Sequence, residues 1–581
     1  MRSLALLLVA CATVPPGPPP IAPLEESAPE PAPAVALPEQ RPEDEDLPAP
    51  GDLMEFFYGG RLNFAEGGIP LISIRILEGT DEVRFVPRGP LRIRTRGSGE
   101  VTAEGGGDWR VTLTHSRPAV QEHYAVIDER PAADREILGR LADEWREKGV
   151  ATRTVAVGNL YGVAGRVLDA RRTFLVVDTD GARPAADAAA RDLLERFLVR
   201  PVVVKVLGKR PEAKLTLWAP SGAPVAESDS ALEVAVEGAR GVTVRGVPYG
   251  TFIGPRGAED RSYGGRLLVA VDGEGKLAAV NALPLEKLLR GILPAEIFAS
   301  APMEALKSQA VAARGEILSK IGTRHPGEPY LLCGEQHCQA YKGEIGEHPA
   351  TDLAISATRG ETLFAPRGGA LVDAVYSAVC GGHSENNEVV WGGAANPSLR
   401  GVPDFDARRY APKFARGVSD VGRFVAADIP AFCRLSRFSK ANRFRWERRF
   451  TAAQVDEMVA ELGVGAVSGI EVESRGVSGR ASSLRVVGET GTARIRGELN
   501  IRRRFGTLNS AMFEVARAGD EWIFRGGGWG HGVGMCQMGA MGRAERGQGY
   551  RTILAHYFNG AEVVRIYDVP GPLAESSNKP R

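Results

Sequence analysis

From residue 71 to about 114 apolar side chains recur at every second position, as in Ile72-Ser73-Ile74-Arg75-Ile76 and Val111-Thr112-Leu113, and Gly clusters break the runs. A period of two puts alternate side chains on opposite faces, so the pattern predicts short half-buried strands. Glycine points the same way: 70 of 581 residues, about 12% against a usual ~7%, favour tight turns between strands. Between 123 and 207 the period changes. Strands at 124–127, 152–157, 173–177 and 202–207 alternate with helices at 134–148 and 184–197, whose apolar positions (Leu138, Leu141, Trp145; Ala189, Leu193, Phe197) keep helical spacing. Strands return from 214 to 252.

The βαββαβ order resembles a sporulation-related repeat domain, a module that binds glycan strands stripped of peptide; a purely structural α+β domain has the same order. A chain of 581 residues exceeds one core, so several modules are expected. Lys plus Arg and Asp plus Glu both number 72, which removes the electrostatic footprint of a nucleic-acid binder. After residue 12 no apolar run reaches the ~18 residues of a membrane helix, so any membrane contact comes from the N-terminus. There, Leu8-Val9-Ala10-Cys11 closes a short apolar stretch and resembles a bacterial lipobox, which implies export and lipidation of Cys11; a chance Cys is the alternative. Residues 12–50, rich in Pro, Ala and Glu, read as an extended tether, and 569–581 as a polar tail.

Four separated blocks follow residue 263. The first runs from Gly265-Arg266-Leu267 through Leu289-Arg290-Gly291-Ile292-Leu293-Pro294-Ala295-Glu296 to Lys307-Ser308-Gln309-Ala310-Val311-Ala312-Ala313-Arg314. The second is Cys338-Gln339-Ala340-Tyr341-Lys342-Gly343, the third Tyr376-Ser377-Ala378-Val379-Cys380-Gly381-Gly382-His383-Ser384-Glu385. The fourth is Gly528-Trp529-Gly530-His531-Gly532-Val533-Gly534-Met535-Cys536-Gln537. Together they resemble the stage II sporulation protein D family (SpoIID/LytB), whose characterised members are lytic transglycosylases acting on peptide-free peptidoglycan. The resemblance implies a mixed α+β domain over 263–568 with a substrate groove and Glu296 as the catalytic residue.

Glu296 is flanked by Leu293, Pro294, Ala295, Ile297 and Phe298. An apolar setting disfavours the charged form and raises a carboxyl pKa; pairing with Lys307 or Arg314 would lower it instead. A lytic transglycosylase needs one such group, because the sugar's own 6-hydroxyl replaces water as nucleophile. Glu316 reads as a surface or supporting carboxylate. Lys307 and Arg314 suit the lactyl carboxylates of stripped muramic acid, or else pair with nearby Glu on the helix. The Gly-rich run around His531 predicts a backbone turning sharply beside the groove, with Tyr376, Ser377 and Gln537 lining it or filling the core.

Six cysteines minus Cys11 leave five, which cannot all pair. His325, Cys333, His337 and Cys338 have the composition of a tetrahedral structural zinc site, with Cys380 and His383 as alternative ligands. The competing reading is a Cys333–Cys338 disulfide with Cys380, Cys433 and Cys536 buried as apolar residues. The proposed acid–base chemistry requires no cofactor. Residues 434–449 are basic with interleaved Phe438, Phe444 and Trp446, and read as a solvated insertion or a sugar-stacking surface.

These readings give a multi-domain α+β chain: signal 1–11, tether 12–50, β-rich region 51–122, βαββαβ module 123–210, β-rich connection 211–262, the groove-bearing domain 263–568 and the tail. The expected activity is cleavage of peptide-free glycan strands to 1,6-anhydro ends in the bacterial envelope, by a lipoprotein on the periplasmic side of the membrane. The rival is a non-catalytic glycan binder or enhancer of a cell-wall amidase. A zinc hydrolase built on Cys333, His337 and Cys338 is a third reading, without a His-Glu metalloprotease pattern to support it.

Overall fold

The computed structural model describes residues 52–567 except 60–61, 98, 133, 164–165, 198–201, 250–256, 336, 367–368, 407–413 and 415. The signal with Cys11, the tether and the tail lie outside the described residues. The alternating runs form two sheets. In one, Pro70–Thr80, Leu277–Pro284, Arg266–Val271, Ala231–Val236 and Leu91–Thr95 lie side by side; in the other, Glu212–Trp218, Trp109–Arg117, Glu82–Pro87, Val242–Tyr249 and Gly257–Tyr263 do. Ile72, Ile74, Phe85, Val111, Leu215, Val234 and Leu283 share one core between them.

This corrects the boundary placed at 262/263. Ala231 lies opposite Ala270 and Val234 opposite Leu267, so the 51–122 and 211–262 stretches share a sheet with the segment that follows. Strands Arg266–Val271 and Leu277–Pro284 are buried at every position and need cover on both faces. The second cover is the short helix Leu53–Tyr58, whose Leu53, Met54 and Phe57 pack on Leu268, Ala270 and Val280.

The predicted βαββαβ unit is present. Strands Val120–Pro131, Thr152–Val157, Arg172–Val177 and Val203–Lys209 form an antiparallel sheet in the order fourth, first, third, second. Helices α1 (Arg135–Glu147) and α2 (Arg183–Phe197) bury Leu138, Trp145 and Leu193 against Ala125 and Leu175. The unit fills the loop of a hairpin, since Arg117 before it pairs with Glu212 after it. An additional hairpin, Leu160–Val163 with Arg166–Asp169, sends Tyr161, Val163 and Leu168 into the two-sheet core and docks the unit there.

Helix α3 (Leu285–Glu296) leaves the first sheet directly and buries Leu288, Leu289 and Ile292 on the same core. Pro294 removes an amide from its last turn, and the backbone becomes extended at Ile297. Helix α4 (Met303–Lys320), entered through Pro302, is buried nearly all round. Ala310, Ala313 and Ile317 face the two-sheet core. Leu306 joins Val311 and Ala312 in a second core with Val375, Val379, Phe424, Met535 and Ala540.

A third core, around Trp446, Val455, Val486, Phe505 and Phe524, is carried by two three-stranded sheets. Part of the basic 434–449 stretch is therefore not a solvated insertion: Arg445–Thr451 pairs along Glu521–Gly527 and Trp446 is buried. Among the described residues no helix is long and apolar enough to cross a membrane.

Candidate functional site

The third and fourth blocks, about 150 residues apart in sequence, lie together in parallel register, with Tyr376 opposite Met535 and Ser377 opposite Cys536. The turns of the fourth block require glycine. Gly528, Gly530, Gly532 and Gly534 have φ of 85°, 92°, 79° and 68°, and a Cβ on Gly534 would stand 2.1 Å from the Val375 carbonyl oxygen.

Glu296, part-buried at the end of α3, meets this pair of blocks. Its carbonyl oxygen accepts from Gln537 Nε2 at 2.9 Å, and Gln537 also reaches Gln309 Oε1 at 3.3 Å. Burial, and then repulsion from Glu316, pushes the Glu296 carboxyl up to about 7, against the opposing pull of the Ala340 N–H and the Lys320 and Lys342 charges. The partners weighed for it from sequence are elsewhere. Arg314 is fully buried, its Nε and Nη2 each donating at 2.9 Å to the Glu286 carboxylate; Lys307 Nζ holds Glu304 at 2.7 Å. A guanidinium with no exposed surface cannot meet a substrate carboxylate, which corrects the assignment of Arg314. Lys307, four residues into α4, is taken by the helix pairing that was its alternative.

A chain of contacts not foreseen from sequence backs Glu296. Lys320 Nζ donates to Glu316 Oε1 at 2.5 Å and to the Cys338 carbonyl at 2.7 Å. Gln339 Nε2 donates to Glu316 Oε2 at 2.5 Å, and Gln339 Oε1 accepts from the Tyr376 hydroxyl at 2.8 Å. Glu316, read as a surface or supporting group, is buried and ion-paired. Its i, i+4 spacing from Lys320 and the place of Gln339 in the second block were the available sequence clues.

His531 is part-buried and holds backbone. Its Nε2 donates to the Tyr376 carbonyl at 2.9 Å and its Nδ1 accepts from the Val533 N–H at 3.1 Å, so both ring nitrogens are spent on backbone. Burial pushes its pKa down to about 3, leaving a neutral ring that positions Tyr376. Ser377 is buried, its Oγ without a partner among the described residues. Near Glu296 the surface is aromatic. Phe298, 46% exposed, stacks on Phe438 with centroids 5.8 Å apart, and Trp391, 55% exposed, leans on His531 at 5.0 Å. Arg443 lies over Trp529 at 5.0 Å.

The His/Cys quartet predicted from sequence converges. The ligand atoms of His325, Cys333, His337 and Cys338 lie within 4.8 Å of one another. His325 Nε2 is 3.2 Å from Cys338 Sγ, and His337 Nδ1 is 3.6 and 3.7 Å from Cys333 and Cys338 Sγ. Zn–S and Zn–N bonds in a tetrahedron imply ligand–ligand edges of about 3.3–3.8 Å, so the residues present fit zinc. Both cysteines are free thiols. Cys333 sits on a strand paired in parallel with Pro70–Thr80, which fixes the cluster to the first sheet. The alternative pair does not join it. His383 is buried with Nδ1 on the Ser384 carbonyl, and Cys380 faces Asp404, Cys433 and Cys536, because the Cys380 end of the third block lies on the fourth block while its Tyr376 end reaches the second.

Residues 273–364 match the family model described as Stage II sporulation protein, and 385–534 match a domain of unknown function, DUF8618. An uncharacterized protein of Brachyspira hyodysenteriae is 29% identical over 291 residues, 50% of this chain and 68% of that protein. Stage II sporulation protein D of Bacillus subtilis is 26% identical over 304 residues, covering 49% of this chain and 76% of the relative. The Amidase enhancer of Bacillus subtilis is also 26% identical, over 47% of this chain and 39% of its own length. With the four blocks assembled around Glu296, these matches show that the chain carries a SpoIID-family domain and is similar to the stage II sporulation D and amidase-enhancer relatives.

Proposed function

We propose that the protein cleaves peptide-free glycan strands of bacterial peptidoglycan as a lytic transglycosylase, with Glu296 as acid and then base. The observation that carries this reading is a part-buried carboxyl held near neutrality by burial and by Glu316, beside exposed Phe298. Protonated Glu296 gives its proton to the glycosidic oxygen as the C1–O bond breaks. The resulting carboxylate then takes the proton of the 6-hydroxyl as O6 bonds to C1, which closes the 1,6-anhydro ring without consuming water. Glu316, tied to Lys320 and Gln339, is held away from a nucleophile's role, consistent with a one-carboxylate mechanism. Phe298 and Phe438 offer ring faces to sugars.

Within this reading, His325, Cys333, His337 and Cys338 hold a structural zinc. Bound there, zinc supplies cross-linking of the 325–338 segment and no catalytic function. That segment leads directly into Gln339 and Ala340, which contact Glu316 and Glu296. The protein acts in the cell envelope, tethered through lipidated Cys11. A second reading, suggested by the relative named an amidase enhancer, has the same groove bind glycan without turnover and assist a cell-wall amidase. Incubating native chain and Glu296→Gln with defined naked glycan and weighing the products separates the two. Anhydro-ended fragments from the native chain alone support cleavage; strands bound but uncut by the native chain favour the enhancer.

A further inference from the structure

The second cysteine cluster lies in the core behind the third and fourth blocks and takes no part in the chemistry proposed for Glu296. We infer that Cys380, Cys433, Cys536 and Asp404 form a second binding site for zinc or a similar borderline-soft divalent cation. All four residues are buried, Asp404 and the three cysteines completely, and their ligand atoms lie within 4.8 Å of one another. Cys380 Sγ is 3.6 Å from Cys433 Sγ and 3.7 Å from Asp404 Oδ2. Those are tetrahedral edge lengths for three sulfurs and one carboxylate oxygen about a zinc ion, about 3.5–3.8 Å.

The surroundings are those of a metal centre rather than of three apolar side chains. The carboxylate of Asp404 is divided: Oδ1 accepts from the Tyr557 hydroxyl at 2.7 Å and Arg543 Nη2 at 3.2 Å, while Oδ2 accepts from the Cys433 N–H at 2.9 Å and keeps a lone pair toward the thiols. Cys536 Sγ accepts from the Cys380 N–H at 3.1 Å and the Gly539 N–H at 3.3 Å, bonds that favour a thiolate. Arg445, close by, donates to the carbonyls of Gly381 and Val425 and forms no ion pair among the described residues. A divalent ion with three thiolates and a carboxylate carries a net charge of two negative, which Arg543 and Arg445 would answer. Binding releases to solvent whatever protons the three sulfurs carry. The ion would join four chain segments, including the start of the helix Gln537–Ala544, whose first residue holds the Glu296 carbonyl.

The test is metal content of the full chain purified with zinc and dialysed, for native protein, Cys433→Ser, and Cys333→Ser. We expect about two zinc equivalents for the native chain and about one for each variant. Should Cys433→Ser fail to fold, cobalt substitution of Cys333→Ser reads the second site alone, and a sulfur-to-cobalt charge-transfer band is expected. One equivalent lost with Cys433→Ser but kept in Cys333→Ser supports this site and rejects the His/Cys one. Zinc content of Cys433→Ser equal to that of the native chain, no cobalt–sulfur band in Cys333→Ser, or a Cys380–Cys433 disulfide in the peptide map of the native chain overturns it.

Discussion

Helix α3 begins and ends with a buried or part-buried glutamate, and the two behave oppositely. Glu286 pays the larger desolvation, yet the bidentate Arg314 guanidinium, the Tyr567 hydroxyl and the Gly360 N–H together hold it below the usual range. Glu296 is less deeply buried, faces Glu316 and has no guanidinium, and it rises to about 7. Burial alone does not set a carboxyl's proton affinity; the partner decides the sign. One end of the helix is a closed ion pair suited to stability, and the other is a part-buried carboxyl without a cationic partner of its own among the described residues.

The contrast can be broken most severely at Glu296. Replacing it by Gln is expected to cut anhydro-product release by about a hundred- to ten-thousand-fold, the usual worth of a general acid–base group, while circular dichroism stays native. Arg314→Met leaves Glu286 buried and unpaired, so denaturant unfolding should show a loss of about 3–5 kcal/mol. A stability change under about 1 kcal/mol would show that the pair is not the constraint its geometry suggests.

The pH dependence follows with opposite signs. Glu296, raised above its ordinary 4.5, binds its proton more tightly when folded, so its contribution to stability falls as pH rises from about 4.5 to 7 and is constant above. Glu296→Gln should therefore be more stable than the native chain at pH 8, by on the order of 1–3 kcal/mol, with the gain gone below about pH 4.5. Glu286, depressed, contributes stability above its ordinary range that is lost as pH falls through its folded pKa. Activity should decline above about pH 7 as Glu296 ionises. In Glu316→Gln the like charge is gone, so the Glu296 pKa drops and that decline should move to lower pH by less than about one unit. The smallest effect belongs to Lys307→Ala, expected to change stability by less than about 1 kcal/mol and to leave glycan affinity unchanged, because its charge is spent on Glu304 at a half-exposed helix face.

Periodicity alone located the βαββαβ unit to within a few residues, because local spacing is decided by neighbours in the chain. The clustering of His325 with Cys333, His337 and Cys338 was readable for the same reason: the four lie within fourteen positions. The apolar flank of Glu296 left a raised pKa open beside one lowered by Lys307 or Arg314, and only the placement of those two cations decided between them. Other features depended on contacts between distant segments. No pattern around Arg314 distinguishes a groove cation from one closed on Glu286, 28 residues earlier, and nothing local brings Cys380, Asp404, Cys433 and Cys536 to one point. The same holds for the sheet that joins residues 231–236 to 266–271 across the predicted boundary. Sequence states which side chains have the chemistry. Packing of remote strands and helices states which of those side chains face one another, and for a buried charge that neighbour determines whether it carries a proton, holds the fold together, or waits for a metal.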